Sequence, residues 1–85
     1  MVSKFTEMVN EKIEEESLLT IGINCGSSHI MEAIVPYTIN TDSGIYIEGE
    51  NFSLNITDDE EYVISYDEIE EDFIITQGNN VFYLG

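Results

Sequence analysis

Apolar and polar residues alternate along this chain with two different periods. From Ser3 to Glu15 the period is helical. Successive residues placed ~100° apart bring Phe5, Met8, Val9 and Ile13 to one side and Glu7, Glu11, Glu14 and Glu15 to the other. Ser3 is the expected N-cap. Glu7, Glu11 and Glu15 repel one another at i, i+4 spacing, and Glu14–Glu16 sit at the negative end of the helix dipole. Such a helix forms only by packing its apolar stripe, and its acidic side reads as a solvated face.

From Leu18 onward the period is two. Leu19, Ile21, Ile23 and Cys25 share one side of a first strand, and Gly26-Ser27-Ser28 marks the turn after it. A long second strand is expected over His29–Asn40, with Pro36 marking a bulge, a bend or an edge because it has no N–H to donate. Shorter strands follow at Ile45–Glu48, at Phe52–Thr57 with Phe52, Leu54 and Ile56 facing in, and at Glu61–Tyr66. Asp67–Asp72 reads as a loop or a single helical turn. Phe73–Gln77 and Val81–Leu84 form a last hairpin around Gly78-Asn79-Asn80. The pattern predicts one α+β domain over residues 1–85. The helix (1–16) packs on an antiparallel sheet of six to seven short strands (17–85), curled as a sandwich or small barrel.

Composition changes this picture through charge. The 85 residues carry eighteen carboxylates against two lysines and no arginine, a net charge of −16. Solubility alone asks for a magnitude of only about 2–8, and the excess repels itself. A strongly basic partner is one reason for such a field, and a halophilic lineage is another. Abundant Ile, Asn and Tyr with almost no Ala fit an AT-rich genome better than a halophilic one. The lone Cys25 allows no internal disulfide, which points to a reducing, cytoplasmic compartment. Neither a signal-like segment nor an apolar run near ~18 residues is present, so no membrane association is expected.

The chain holds few residues suited to catalysis. His29 is the only histidine, and Cys25 and Ser28 lie near it without a third orienting group. No Gly-rich phosphate loop follows a strand. Both lysines are on the helix, so the chain is not expected to bind nucleic acid directly. Neither acid run has the glycine and alternating ligands of a calcium loop. No catalytic residue, cofactor or dedicated metal site is assigned, and the chain is not read as an enzyme.

What stands out is Asp58–Asp72, where nine of fifteen residues are acidic: Asp58, Asp59, Glu60, Glu61, Asp67, Glu68, Glu70, Glu71 and Asp72. They flank the apolar run Tyr62-Val63-Ile64-Ser65-Tyr66. Carboxylates fixed on a β framework can approximate part of the charge pattern of a DNA duplex and compete for an Arg/Lys groove. Glu48 and Glu50 join them as secondary contributors, on one strand face if the strand persists to Glu50. Tyr46, Tyr62 and Tyr66 are either aromatic anchors for a partner or packing residues.

In size, charge and helix-then-strand layout the chain resembles the small acidic inhibitors that bacteriophages make against host nucleases and repair enzymes. These are DNA mimics that include anti-CRISPR proteins and uracil-DNA glycosylase inhibitors. Glu61-Tyr-Val-Ile-Ser65 followed by acid looks like a segment of a type II-A anti-CRISPR protein that blocks the DNA-reading cleft of a CRISPR effector nuclease. The chain departs from that family by continuing into strands where the family continues into helices, so no functional residue carries across. The resemblance implies a phage protein acting in the host cytoplasm, with a basic nucleic-acid-binding protein of nuclease or CRISPR effector type as partner. Two alternatives stay open. One is an immunity or antitoxin protein against a nuclease. The other is a small phage structural or adaptor module, which would self-associate as a homodimer through an apolar edge strand such as Val81–Leu84.

Overall fold

A computed structural model describes residues 1–85 as one helix and eight antiparallel strands. The helix α1 (Val2–Glu15) is held by its apolar stripe, as its poor charge pattern requires: Phe5 and Val9 are fully buried, and Met8 and Ile13 pack beside them. Its start differs from the expectation. Phe5 N–H donates to Met1 O at 3.1 Å, so Met1 is the N-cap and Ser3 lies inside the first turn, with no side chain capping the end. The turn that carries the Phe5 amide bond takes the helix two residues past the capping signal. At the other end Glu16 adopts φ 52°. Glu16 N–H donates to Ile13 O (3.3 Å) and Ser17 N–H to Lys12 O (3.0 Å), a Schellman turn built without glycine.

The strands are β1 (Leu19–Cys25), β2 (Ser28–Ile34), β3 (Pro36–Asn40), β4 (Ile45–Gly49), β5 (Phe52–Ile56), β6 (Val63–Asp67), β7 (Asp72–Gln77) and β8 (Asn80–Leu84). They form a five-stranded sheet in the order β2-β1-β8-β7-β6 and a three-stranded sheet in the order β3-β4-β5. Neither closes into a barrel. The eighth strand comes from Pro36, which divides the long second strand. β2 ends its pairing with β1 at Ile34, and β3 begins its pairing with β4 at Pro36, with a register shift before Thr38. Pro36 cannot continue the first ladder, so the chain turns the corner from one sheet to the other. Gly49 lets that corner close, since a Cβ there would sit 2.9 Å from Val35 O.

One cluster of thirteen buried apolar residues joins all three layers. The helix gives Phe5 and Val9. The larger sheet gives Leu19, Ile21, Ile34, Phe73, Ile75, Phe82 and Leu84, and the smaller sheet gives Ile45, Ile47, Leu54 and Ile56. Phe5 meets Phe73 of the large sheet edge-on, with centroids 5.5 Å apart at 72°, while the helix runs closest to β3 of the small sheet. Each such residue stabilises the fold by roughly 1.5–3 kcal/mol through burial. Val81–Leu84, the apolar strand offered as an edge, falls instead between β1 and β7 in the middle of the sheet. Phe82 and Leu84 face the core, and Val81 and Tyr83 are half-buried on the outer side of the sheet.

Candidate functional site

The acids of Asp58–Asp72 do not lie along a strand. β6 starts at Val63, so Glu61 precedes it, and only Asp67 and Asp72 belong to strands, as the last residue of β6 and the first of β7. The reason is a contact from β7. Gln77 Nε2 donates to Thr57 O (2.7 Å) and Glu60 O (2.8 Å), which draws residues 57–60 toward the β7–β8 turn and away from a β6 extension. Thr57 Oγ1 donates to the Asp59 carboxylate and braces the loop further. Glu60 reaches over Gly78, where a Cβ would meet Glu60 Oε1 at 2.5 Å. Asp58, Asp59, Glu60 and Glu61 are thus one exposed group at the start of β6.

The second group is the β6–β7 turn. Asp67 pairs directly with Asp72, closing a loop of Glu68, Ile69, Glu70 and Glu71. Asp67 Oδ1 accepts hydrogen bonds from Ile69 N–H (2.9 Å) and Glu70 N–H (3.2 Å), and Glu71 takes φ 58° to bring the chain back. These bonds shape the turn from within. Asp72 lies over Gly85, where a Cβ would be 2.3 Å from Asp72 Oδ1.

Between the groups runs β6 itself. Its four residue steps span about 13 Å. It is an edge strand, and no backbone hydrogen bond outside the sheet ladders involves it. The site is therefore two acidic groups separated by a short uncharged strip, rather than a continuous anionic surface.

Glu48 and Glu50 are not part of it. β4 ends at Gly49, so Glu50 lies in the two-residue turn to β5 and the shared strand face does not form. Glu48 projects from the outer side of the small sheet between Thr38 and Ser53. Both sit at the Gly49–Phe52 end of β5, whereas Asp58 follows the Ile56 end. Glu50 instead neighbours Glu16 around a shallow depression lined by Ile13, Pro36 and Tyr37.

The tyrosines divide. Tyr62 is half-buried against the core, and Tyr46 is half-buried on the outer side of the small sheet. Tyr66 packs against Phe73 with rings tilted at 59° and centroids 4.9 Å apart, and keeps 43% of its surface exposed, next to Met1, Lys4 and Glu68.

Two features escaped the sequence reading. Ile69, at the tip of the acidic turn, is 91% exposed, a bare apolar side chain among five carboxylates. The signal was present as the one apolar residue inside Asp67–Asp72. The other feature is a large uncharged face. On the outer side of the five-stranded sheet, Met31, Gly22, Tyr83, Ile74 and Ser65 align in one row, and His29, Asn24, Val81, Thr76 and Val63 in the next. Neither row holds a carboxylate, in a chain with eighteen.

No three His, Cys, Asp or Glu side chains gather as a cation cage, and no helix is long and apolar enough to cross a membrane. Comparison of the chain with known protein families, curated proteins and solved structures finds no match.

Proposed function

We propose that this chain is an acidic inhibitor that occupies the nucleic-acid-binding site of a basic host defence or DNA-processing enzyme. The observation that carries the reading is the two-group arrangement at β6. Asp58–Glu61 and Asp67–Asp72 stand at opposite ends of a strip about 13 Å long. The phosphate rows of a duplex flank a major groove ~12 Å wide. A protein that grips both rows with Arg and Lys presents two basic strips at a similar spacing. Each carboxylate group can engage one strip through charge-assisted, often bidentate, pairs. The turn hydrogen bonds shape the backbone that carries the carboxylates before binding, which limits the ordering cost.

The test is a pull-down from host lysate at rising salt, followed by DNA-competition binding with the captured enzyme. Reversing Asp58, Glu61, Glu68 and Glu71 together to Lys should abolish binding while the circular dichroism spectrum stays unchanged. Reversing Glu7, Glu11 and Glu14 on the solvated helix face should leave most of the binding intact. The opposite ranking would move the site to the helix and overturn the assignment to β6.

A further inference from the structure

We infer that strand β2 is a self-association edge, pairing antiparallel with β2 of a second copy across a two-fold axis at Ile30. This does not rest on the inhibitor reading and concerns the opposite edge of the sheet, four strand spacings or about 19 Å from β6.

The fold leaves four strand edges unpaired, and three are protected. β3 carries Pro36 and a register shift. β5 and β6 are five residues long and run into Asp58 and Asp67. β2 has seven residues, pairs with β1 without a break, and contains neither Lys nor Pro. Six of its seven residues are exposed, with Ile30 at 48% and Met31 at 59%. Unpaired edges of this kind invite another strand.

The backbone register shows which groups are free. Thr20 and Gly85 exchange both hydrogen bonds (2.9 and 3.1 Å), so Thr20 turns its peptide groups toward the β8 side and away from its β2 partner Ala33. By the alternation of antiparallel pairing, His29, Met31 and Ala33 direct their N–H and C=O groups outward.

Charge selects the occupant. β2 carries one carboxylate, Glu32, so a basic ligand has little to bind there. A neutral strand is needed, and a second copy brings one with matching free groups. Centred on Ile30, the pairing sets Ile30 against Ile30 and joins His29 to Met31 of the other copy by outward backbone bonds. Glu32 then faces a Ser28 hydroxyl. The two Glu32 residues lie about 13 Å apart, beyond the ~8 Å Debye length at physiological salt.

Two chains of −16 still repel, so this association should tighten with salt, whereas capture of a basic partner should weaken. Sedimentation velocity at 20 and 500 mM NaCl should show a monomer–dimer equilibrium about tenfold tighter at the higher salt. Ile30→Glu, which sets two carboxylates face to face, and Met31→Pro, which removes an outward N–H without touching the β1 ladder, should both remain monomeric at 500 mM with native circular dichroism. In a Cys25→Ser background, Ile30→Cys should oxidise to a covalent dimer. A non-hydrogen-bonded pair brings the Cα atoms to about 4.5 Å, within disulfide reach. Met31→Cys should cross-link far less. A monomer at 500 mM salt, a dimer that survives Ile30→Glu, or cross-linking favoured at position 31 would each overturn the inference. A dimer without any basic partner would retire the inhibitor reading alone.

Discussion

Asp67 and Asp72 face each other directly across the last pair of the β6–β7 hairpin, two like charges closing one turn. Their roles are unequal. Asp67 accepts the Ile69 and Glu70 amide bonds that shape the turn, whereas Asp72 makes no side-chain hydrogen bond. Asp67→Ala should therefore destabilise by about 1 kcal/mol, the usual cost of losing such a cap. Asp72→Asn should be neutral or stabilising by about 0.2–1 kcal/mol, because cross-strand repulsion is relieved. Urea denaturation of the two variants checks the opposite signs.

Glu16 offers a second gain. It holds the left-handed conformation that ends α1, at φ 52°, with an acidic side chain at the negative end of the helix. Glycine takes that conformation without Cβ strain. Glu16→Gly should stabilise by about 1 kcal/mol, raising Tm by roughly 4–8 °C for a domain of this size. An unchanged or lower melting temperature would show that the turn is not strained.

Glycines at two turns should respond very differently to alanine. At Gly44, φ is 97° and a Cβ would lie 2.1 Å from Ile56 O, a backbone atom that cannot step aside. At Gly26, φ is 62° and nothing lies within 4 Å. Gly26→Ala should cost about 1 kcal/mol, the conformational term alone. Gly44→Ala should cost at least ~3 kcal/mol or prevent folding, since strain and collision add. Thermal melts of both variants measure the gap. Equal losses would mean that the close approach at Gly44 relaxes freely.

Much of this fold was legible because its pattern is local. The buried pair Phe5 and Val9, the inward set Phe52, Leu54 and Ile56 with Phe52 only half-buried, and the break at Pro36 all follow from period and backbone chemistry. Strand order was not legible, because β8 reaches β1 across more than fifty residues. The acidic residues are plain in the sequence, but their grouping in space is not. Glu61 left its expected strand through the grip of a distant residue, Gln77, on the Glu60 carbonyl. Glu48 and Glu50 separated from the rest because the chain reverses at Asn51, with φ 65°.

Salt should stabilise the folded chain. Eighteen carboxylates face two lysines, and none of the side-chain hydrogen bonds joins a lysine to an acid. Net repulsion dominates, and it is screened over ~10 Å at 0.1 M salt. The melting temperature should rise by several degrees between 20 and 500 mM NaCl, in line with roughly 1 kcal/mol of relief. A flat or falling profile would remove self-repulsion as the leading electrostatic effect.

The two acidic groups at β6 should act independently on a partner. They are separated by more than the ~8 Å screening length at physiological salt, and sites beyond about 7–10 Å without shared contacts usually add. Reversing Asp58 and Glu61 alone, or Glu68 and Glu71 alone, should each weaken capture of the enzyme by about tenfold or more. The fourfold reversal should equal the sum of the two losses in free energy. Reversing Glu48 and Glu50 should change affinity by less than about threefold, since both lie at the far end of the small sheet. Ile69 adds a separate signature. If the tip enters the partner's cleft, Ile69→Ser should slow nothing in association but speed dissociation, because a buried apolar anchor acts on complex lifetime and charge acts on encounter. Surface plasmon resonance on the captured enzyme resolves both rates. Strong coupling between the two groups, or a larger loss from Glu48 and Glu50, would show that the partner reads a different surface from the one at β6.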